Sequence, residues 1–176
     1  MAKQKIIIVG FMGCGKSTVA AALGRQLNLA VIDLDDAIAE AEGRRPGELI
    51  EQDGEAAFRN LETRMLREVL GQDAPAVIAL GGGAWTFAEN RELIAQQNAA
   101  LTVWLDAPFE LCWKRIAATT EKRPLAQHMA AAEQLYRKRQ SDYALADKAI
   151  RVSENDSAET VAERIAGFAA SRIRTS

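Results

Sequence analysis

Residues 10–17 read Gly-Phe-Met-Gly-Cys-Gly-Lys-Ser, a complete G-x-x-x-x-G-K-S phosphate-binding loop. A strand-type apolar run precedes it and a helix-type run follows, which is the context the motif requires. Glycines let successive backbone N–H groups turn inward around phosphate oxygens. Lys16 can reach the β- and γ-phosphates, Ser17 can ligate Mg²⁺, and the helix beginning here adds its positive dipole end. Gly13, Cys14, Gly15, Lys16, Ser17 and Thr18 are the expected contacts of a nucleoside triphosphate. The Cys14 side chain is expected to point away from the amides and fill space. The loop is silent about what else is bound.

Other residue pairs could complete a reaction centre. Asp33-Leu34-Asp35 puts two carboxylates just past a strand end. Beside a triphosphate, one can serve a metal shell and the other can accept a hydrogen bond from an attacking hydroxyl. Asp is equally a favoured helix N-cap, so both readings stand. Gly81-Gly82-Gly83 follows a buried strand, where it is either a flexible loop or a backbone surface for an anion or hydroxyl. Arg59 and Glu62, three apart on one helix, can pair; the preceding Phe58 could hold Arg59 near a crevice. Lys122-Arg123-Pro124-Leu125 lies in the only long aperiodic segment, a candidate lid over about 118–127 or a solvated basic turn. An Arg delivered by a lid stabilises charge on a transferring phosphoryl group. Of Arg137, Lys138 and Arg139, one Arg could grip a carboxylate in a bidentate pair. Arg115 could stack on an adenine. His128 reads as a solvated residue at the lid edge, and Trp85, Trp104 and Trp113 as packing residues.

These groups need a scaffold that brings them together. Strands are expected at 5–9, 30–32, 76–80, 101–105 and 149–152. Helices are expected at 18–27, 35–42, 54–70, 88–97, 109–117, 130–144 and 158–171. Short apolar strands alternating with helices imply an α/β fold, a five-stranded parallel sheet flanked by helices. In such sheets ligands sit beyond the carboxyl ends of the strands. The phosphate loop, Asp33 with Asp35, and Gly81–Gly83 each follow a strand, so all three converge on one crevice.

The chain has 176 residues and a net charge of −2, which suits a single domain, 1–176, and suggests neither a nucleic-acid nor a membrane partner. No apolar run is long enough to span a bilayer. Met-Ala-Lys-Gln-Lys leads straight into a strand, without a secretory signal, and two cysteines make no disulfide framework, so a cytoplasmic location is expected.

In order along the chain, these motifs resemble the shikimate kinase family. The match runs from about Ile6 to Phe168. It covers the phosphate loop, Asp33-Leu34-Asp35, Gly43-Arg44, Asp53-Gly54-Glu55, Phe58-Arg59-x-x-Glu62 and Leu80-Gly81-Gly82-Gly83-Ala84. It continues through Arg123-Pro124-Leu125 and Leu135-Tyr136-x-x-Arg139-x-x-x-Tyr143-x-x-x-Asp147. The resemblance implies a monomeric P-loop kinase, with a helical substrate-binding segment at about 33–62 and a mobile lid. Its reaction would be Mg²⁺-dependent transfer from ATP to the 3-hydroxyl of shikimate, in the chorismate and aromatic amino acid pathway. By the same resemblance Arg59 and Arg139 hold the shikimate carboxylate, while Asp35 and Gly81–Gly83 hold its hydroxyls. Ser17 ligates Mg²⁺ and Asp33 acts on it through water. Lys16 and Arg123 stabilise the moving phosphoryl group, Arg115 covers adenine, and Lys16, Asp35 and Arg123 form the catalytic set. The chain departs from the family at Leu34, usually small or hydroxylic, and at Ile50, often Phe. A gluconate kinase or a non-catalytic ATP-binding regulator are the alternatives. No guanine-reading motif occurs, which argues against a GTPase.

Overall fold

The run Lys5–Val9 is buried at every position, so it needs neighbours on both edges and helices over both faces. The computed structural model, which describes residues 5–97, 99–119 and 124–173, supplies them. This strand, β1, lies at the centre of a parallel sheet. The others are β2 (Ala30–Asp33), β3 (Ala76–Ala79), β4 (Ala100–Asp106) and β5 (Lys148–Arg151), in the order β2-β3-β1-β4-β5. Burial follows that order. Central β3 is closed to solvent throughout, whereas the edge strands β2 and β5 are partly open.

The helices are α1 (Lys16–Leu27), α2 (Leu34–Glu42), α3 (Pro46–Asp53), α4 (Glu55–Gly71), α5 (Ala88–Ala95), α6 (Phe109–Ala117), α7 (Met129–Tyr143) and α8 (Ala158–Ile173). Helix α1 packs on the sheet and against α8, while α2, α3 and α4 pack on one another beside β2. Gly24, inside α1, is there for space. A Cβ on it would lie 2.1 Å from Val31 Cγ2 on β2.

Helix α3 is absent from the helices expected by periodicity, although it falls within the helical segment, about 33–62, that the resemblance implies. Proline is well suited to the first helical position, where its missing N–H costs nothing. Glu48 completes the start by accepting from the Arg45 N–H at 2.8 Å. The tryptophans pack as expected: Trp85 Nε1 donates to the Asp142 carbonyl, Trp104 stacks on Tyr143, and Trp113 stacks on Phe109. Two short 3-10 turns, Ala84–Thr86 and Pro124–Ala126, follow the triple glycine and open the way to α7.

Because the sheet is parallel, every strand's carboxyl end lies on one edge. The segments leaving β1, β2 and β3 there are the phosphate loop, Asp33 with Asp35, and Gly81–Gly83.

Candidate active site

Gly13 and Gly15 adopt φ of +78° and +103°, the left-handed region that side chains resist. That turn lets α1 begin abruptly. The first helical bond runs from Val19 N to the Gly15 carbonyl, so the N–H groups of Lys16, Ser17 and Thr18 have no intrahelical acceptor. They point, with the positive end of the helix dipole, into a cavity of about 580 Å³. Lys16 Nζ folds over the loop and donates to the carbonyls of Gly10 and Phe11, each at 3.0 Å. Its charge therefore stands across the loop mouth.

Asp33 is the helix cap and keeps a second oxygen toward Ser17. One oxygen caps α2, accepting from the N–H of Asp35 at 3.0 Å and of Asp36 at 3.4 Å. The other accepts from the Ser17 hydroxyl. A hydroxyl and a carboxylate facing one phosphate cavity are hard oxygen donors, and they fit Mg²⁺, which takes few protein ligands and completes its shell with phosphate and water. Leu34 is fully buried beneath them, turned away from the cavity.

A second, smaller cavity of about 80 Å³ adjoins the first and is lined by Asp35, Arg59, Glu62, Gly81–Gly83 and Arg139, with Pro46, Gly47 and Ile50 of α3. Arg59, Glu62 and Arg139 are 9%, 1% and 6% exposed, unusual for charged groups. Arg59 Nη1 meets Glu62 Oε2 at 2.7 Å, Glu55 adds a contact at 3.2 Å, and the guanidinium lies by the Phe58 and Phe87 rings. Burial pushes the Glu62 carboxyl upward, a shift that Arg59 and then Arg139 oppose. The second Glu62 oxygen is buried without a hydrogen-bond partner among the described residues.

The triple glycine makes room for this charge cluster. A Cβ on Gly83 would sit 2.5 Å from Arg59 Nη2, and one on Gly81 would sit 2.6 Å from Asp35 Oδ1 and 2.7 Å from Glu62 Oε1. The Gly82 carbonyl is held from α7, accepting from Arg139 Nη1 at 3.2 Å and from the Tyr143 hydroxyl. The segment is thus pinned, and the flexible-loop reading falls.

A third cavity of about 250 Å³ lies on the other side of the loop, bounded by Thr18, Val19, Arg115, Val152, Asp156 and Ser157 among others. Gly15, Thr18 and Arg115 face both this cavity and the phosphate cavity; Met12, Asp35 and Gly82 face both the phosphate cavity and the small one. The three spaces form a row, with the phosphate cavity in the middle and Asp35 at its far junction. Arg115 is anchored at the near junction by a bond from Nη1 to the Gly13 carbonyl at 3.2 Å.

Every expected site residue within the described segments reaches this row; Arg123 lies outside the described residues, and so does part of the expected lid. Of its described residues, 118–119 and 124–127, Thr119 lines the phosphate cavity and Pro124 and Leu125 wall the small one. The Cys14 thiol is buried, and burial raises its pKa; Cys112 is pushed up to about 12 by burial and then by Cys14. Neither is a nucleophile at neutral pH. His128 is exposed and caps α7, its Nδ1 accepting from Ala131 N at 3.2 Å. Arg45, which lines the phosphate cavity, was missed, since no motif marks it. Val152, Asp156 and Ser157 were also missed individually; their only signal was a turn-rich stretch between a strand and a helix.

A family model described as "Shikimate kinase" matches residues 12–169. A shikimate kinase of Persephonella marina is 35% identical over 150 residues, covering 85% of this chain and 88% of the relative. One of Cereibacter sphaeroides is 35% identical over 173 residues, 97% of this chain and 84% of that one. The solved structure of shikimate kinase from Acinetobacter baumannii in complex with shikimate superposes with a TM-score of 0.88 at 32% identity, covering 96% of this chain and 94% of that one.

Proposed function

The chain belongs to the shikimate kinase family and is an ATP-dependent small-molecule kinase; we propose that it transfers the γ-phosphoryl group of ATP to the 3-hydroxyl of shikimate. The observation that carries this reading is the row of three cavities. Base, phosphates and acceptor each have a space, and the reacting groups meet where Asp35 stands.

In the acceptor space, the guanidiniums of Arg59 and Arg139 line one cavity and suit a carboxylate. Glu62 and Glu55 fix the Arg59 head, while Arg139 donates to the Gly82 carbonyl and lines the ligand space. Asp35 accepts the hydrogen of the attacking hydroxyl and aligns its oxygen with the γ-phosphorus. Gly81–Gly83 lets hydroxyls approach the backbone. On the donor side, the N–H groups at the start of α1 and Lys16 take charge that spreads onto the phosphoryl oxygens, and Arg115 covers the base. Ser17, with Asp33 through water, would hold a Mg²⁺, which when bound neutralises phosphate charge. Arg123, outside the described residues, joins Lys16 by the family resemblance alone.

The continuous sheet and core support a single domain over 1–176, with 33–62 carrying acceptor contacts. We further propose a monomer working in the cytoplasm on these two small molecules, with no nucleic acid or membrane partner. Two buried free cysteines favour that location, and no helix among the described residues is long and apolar enough to cross a membrane. The test is ADP release from ATP with shikimate, with gluconate, and with no acceptor. Stimulation by shikimate alone is expected; equal stimulation by gluconate would overturn the assignment.

A further inference from the structure

Arg45 lines the phosphate cavity, on a helix separate from the loop, yet belongs to no phosphate-binding motif. Its backbone is immobilised. It is the N-cap of α3, Pro46 follows at the first helical position, and Glu48 accepts from its N–H at 2.8 Å. Its side chain is left out of the cap. Nη1 instead reaches Asp36 Oδ1 at 2.6 Å, in a pair whose side chains are 58% and 67% exposed. Such an exposed pair is weak, because water and salt compete with it. Asp36 and Arg45 line the phosphate cavity together with Asp35, which that cavity shares with the acceptor space, so the guanidinium opens onto the same space as the acceptor junction. A guanidinium prefers a doubly charged phosphate, which it can meet with two parallel hydrogen bonds, to an exposed carboxylate such as Asp36.

We propose that Arg45 is a phosphate ligand supplied from the acceptor side, parked on Asp36 and transferred to the terminal phosphate of a nucleoside triphosphate. This rests on the kinase reading above. It assigns Arg45 a contact that Lys16 cannot make, because Lys16 approaches from the loop. The residues after it in α3, Pro46, Gly47 and Ile50, wall the acceptor cavity, so the same short helix faces both substrates.

The test is calorimetric titration of the protein with a non-hydrolysable ATP analogue and with ADP, both with Mg²⁺, and separately with shikimate. In Arg45→Ala the analogue should bind about tenfold more weakly, as expected for loss of one charge-assisted phosphate contact, while ADP changes less than about twofold. Shikimate affinity should hold. Arg45→Lys, which keeps the charge but not the fork, should recover part of the loss. Asp36→Asn, which removes the carboxylate charge from the pair, should bind the analogue as well as or better than the unaltered protein. Equal binding of the analogue by Arg45→Ala and the unaltered protein would overturn the proposal alone. So would weakening in Asp36→Asn that matches Arg45→Ala, since the pair would then be only a strap. An unaltered protein that binds neither nucleotide would overturn the kinase reading itself.

Discussion

Gly83 shows how a residue with no side chain can decide specificity. The Arg59 head occupies the volume a methyl group would need, and the Gly83 φ of −103° would accept alanine, so the obstacle is space alone. Gly83→Ala is expected to displace the guanidinium, raising KM for the acceptor about tenfold, the scale of a lost charge-assisted contact, with little change for ATP. Overpacking should cost about 1–3 kcal/mol of stability. Varying each substrate separately, with a urea melt, checks both. Arg139→Ala should weaken shikimate binding far more than nucleotide binding; equal losses by calorimetry would remove it from the acceptor site. Asp33, Asp35 and the triple glycine stood out in the sequence as costly residues past strand ends, and Arg59 as a charge beside Phe58, whereas Arg139 was separated from Arg137 only by the family resemblance. The buried, unpartnered oxygen of Glu62 was not legible, because its isolation comes from packing against residues distant in the chain. Arg45 was hidden for the opposite reason: a surface arginine looks alike whether or not a cavity opens beside it.

Elements carry two tasks at once, and substitutions can separate them. Asp33 caps α2 with one oxygen and faces Ser17 with the other. Asparagine caps about as well as aspartate but carries no charge. Asp33→Asn should therefore melt within about 0.5 kcal/mol of the unaltered protein yet require more Mg²⁺ for half-maximal rate, whereas Asp33→Ala should also lose about 1 kcal/mol of cap. A cap-only role would leave the Mg²⁺ requirement untouched. Gly24 gives a second separation. Alanine there gains up to about 1 kcal/mol of helix propensity. It also drives a methyl into Val31 Cγ2. The clash should win by about 1–3 kcal/mol, and Val31→Ala should restore the difference. Most elements were readable to within two or three residues at their ends, since β1 and β3 are unbroken apolar runs and the longer helices keep their period. Helix α3 escaped because eight residues opening on Pro-Gly give local signals that say turn; its stability comes from packing on α4.

At the scale of the molecule, alternation of strands and helices announced a parallel sheet, but the order β2-β3-β1-β4-β5 was beyond reach, because order depends on pairings between distant segments. Acid stability is another global property with a local origin. Arg164, then Ser153, hold the Asp156 carboxyl down at about 2 from an ordinary 3.8. A depressed carboxyl contributes stability that is complete above its unfolded value and fades as pH falls through the folded one. The advantage of the unaltered protein over Asp156→Asn should therefore be full above about pH 5 and vanish toward about pH 2, measured as urea midpoints across that window. An advantage independent of pH would dissociate it from ionisation. The central seat of β1 has one more consequence, in time rather than space. It pairs with β3 from Ala76 and with β4 from Ala100, so the first strand made must wait for both. At roughly 5–20 residues per second of synthesis, Ile6-Ile7-Ile8-Val9 stays unpaired for about 5–20 s. During that interval a nascent chain carries an open apolar edge, and crowding of ribosomes on one message would turn the best-buried strand of the finished molecule into the stickiest segment of the unfinished one.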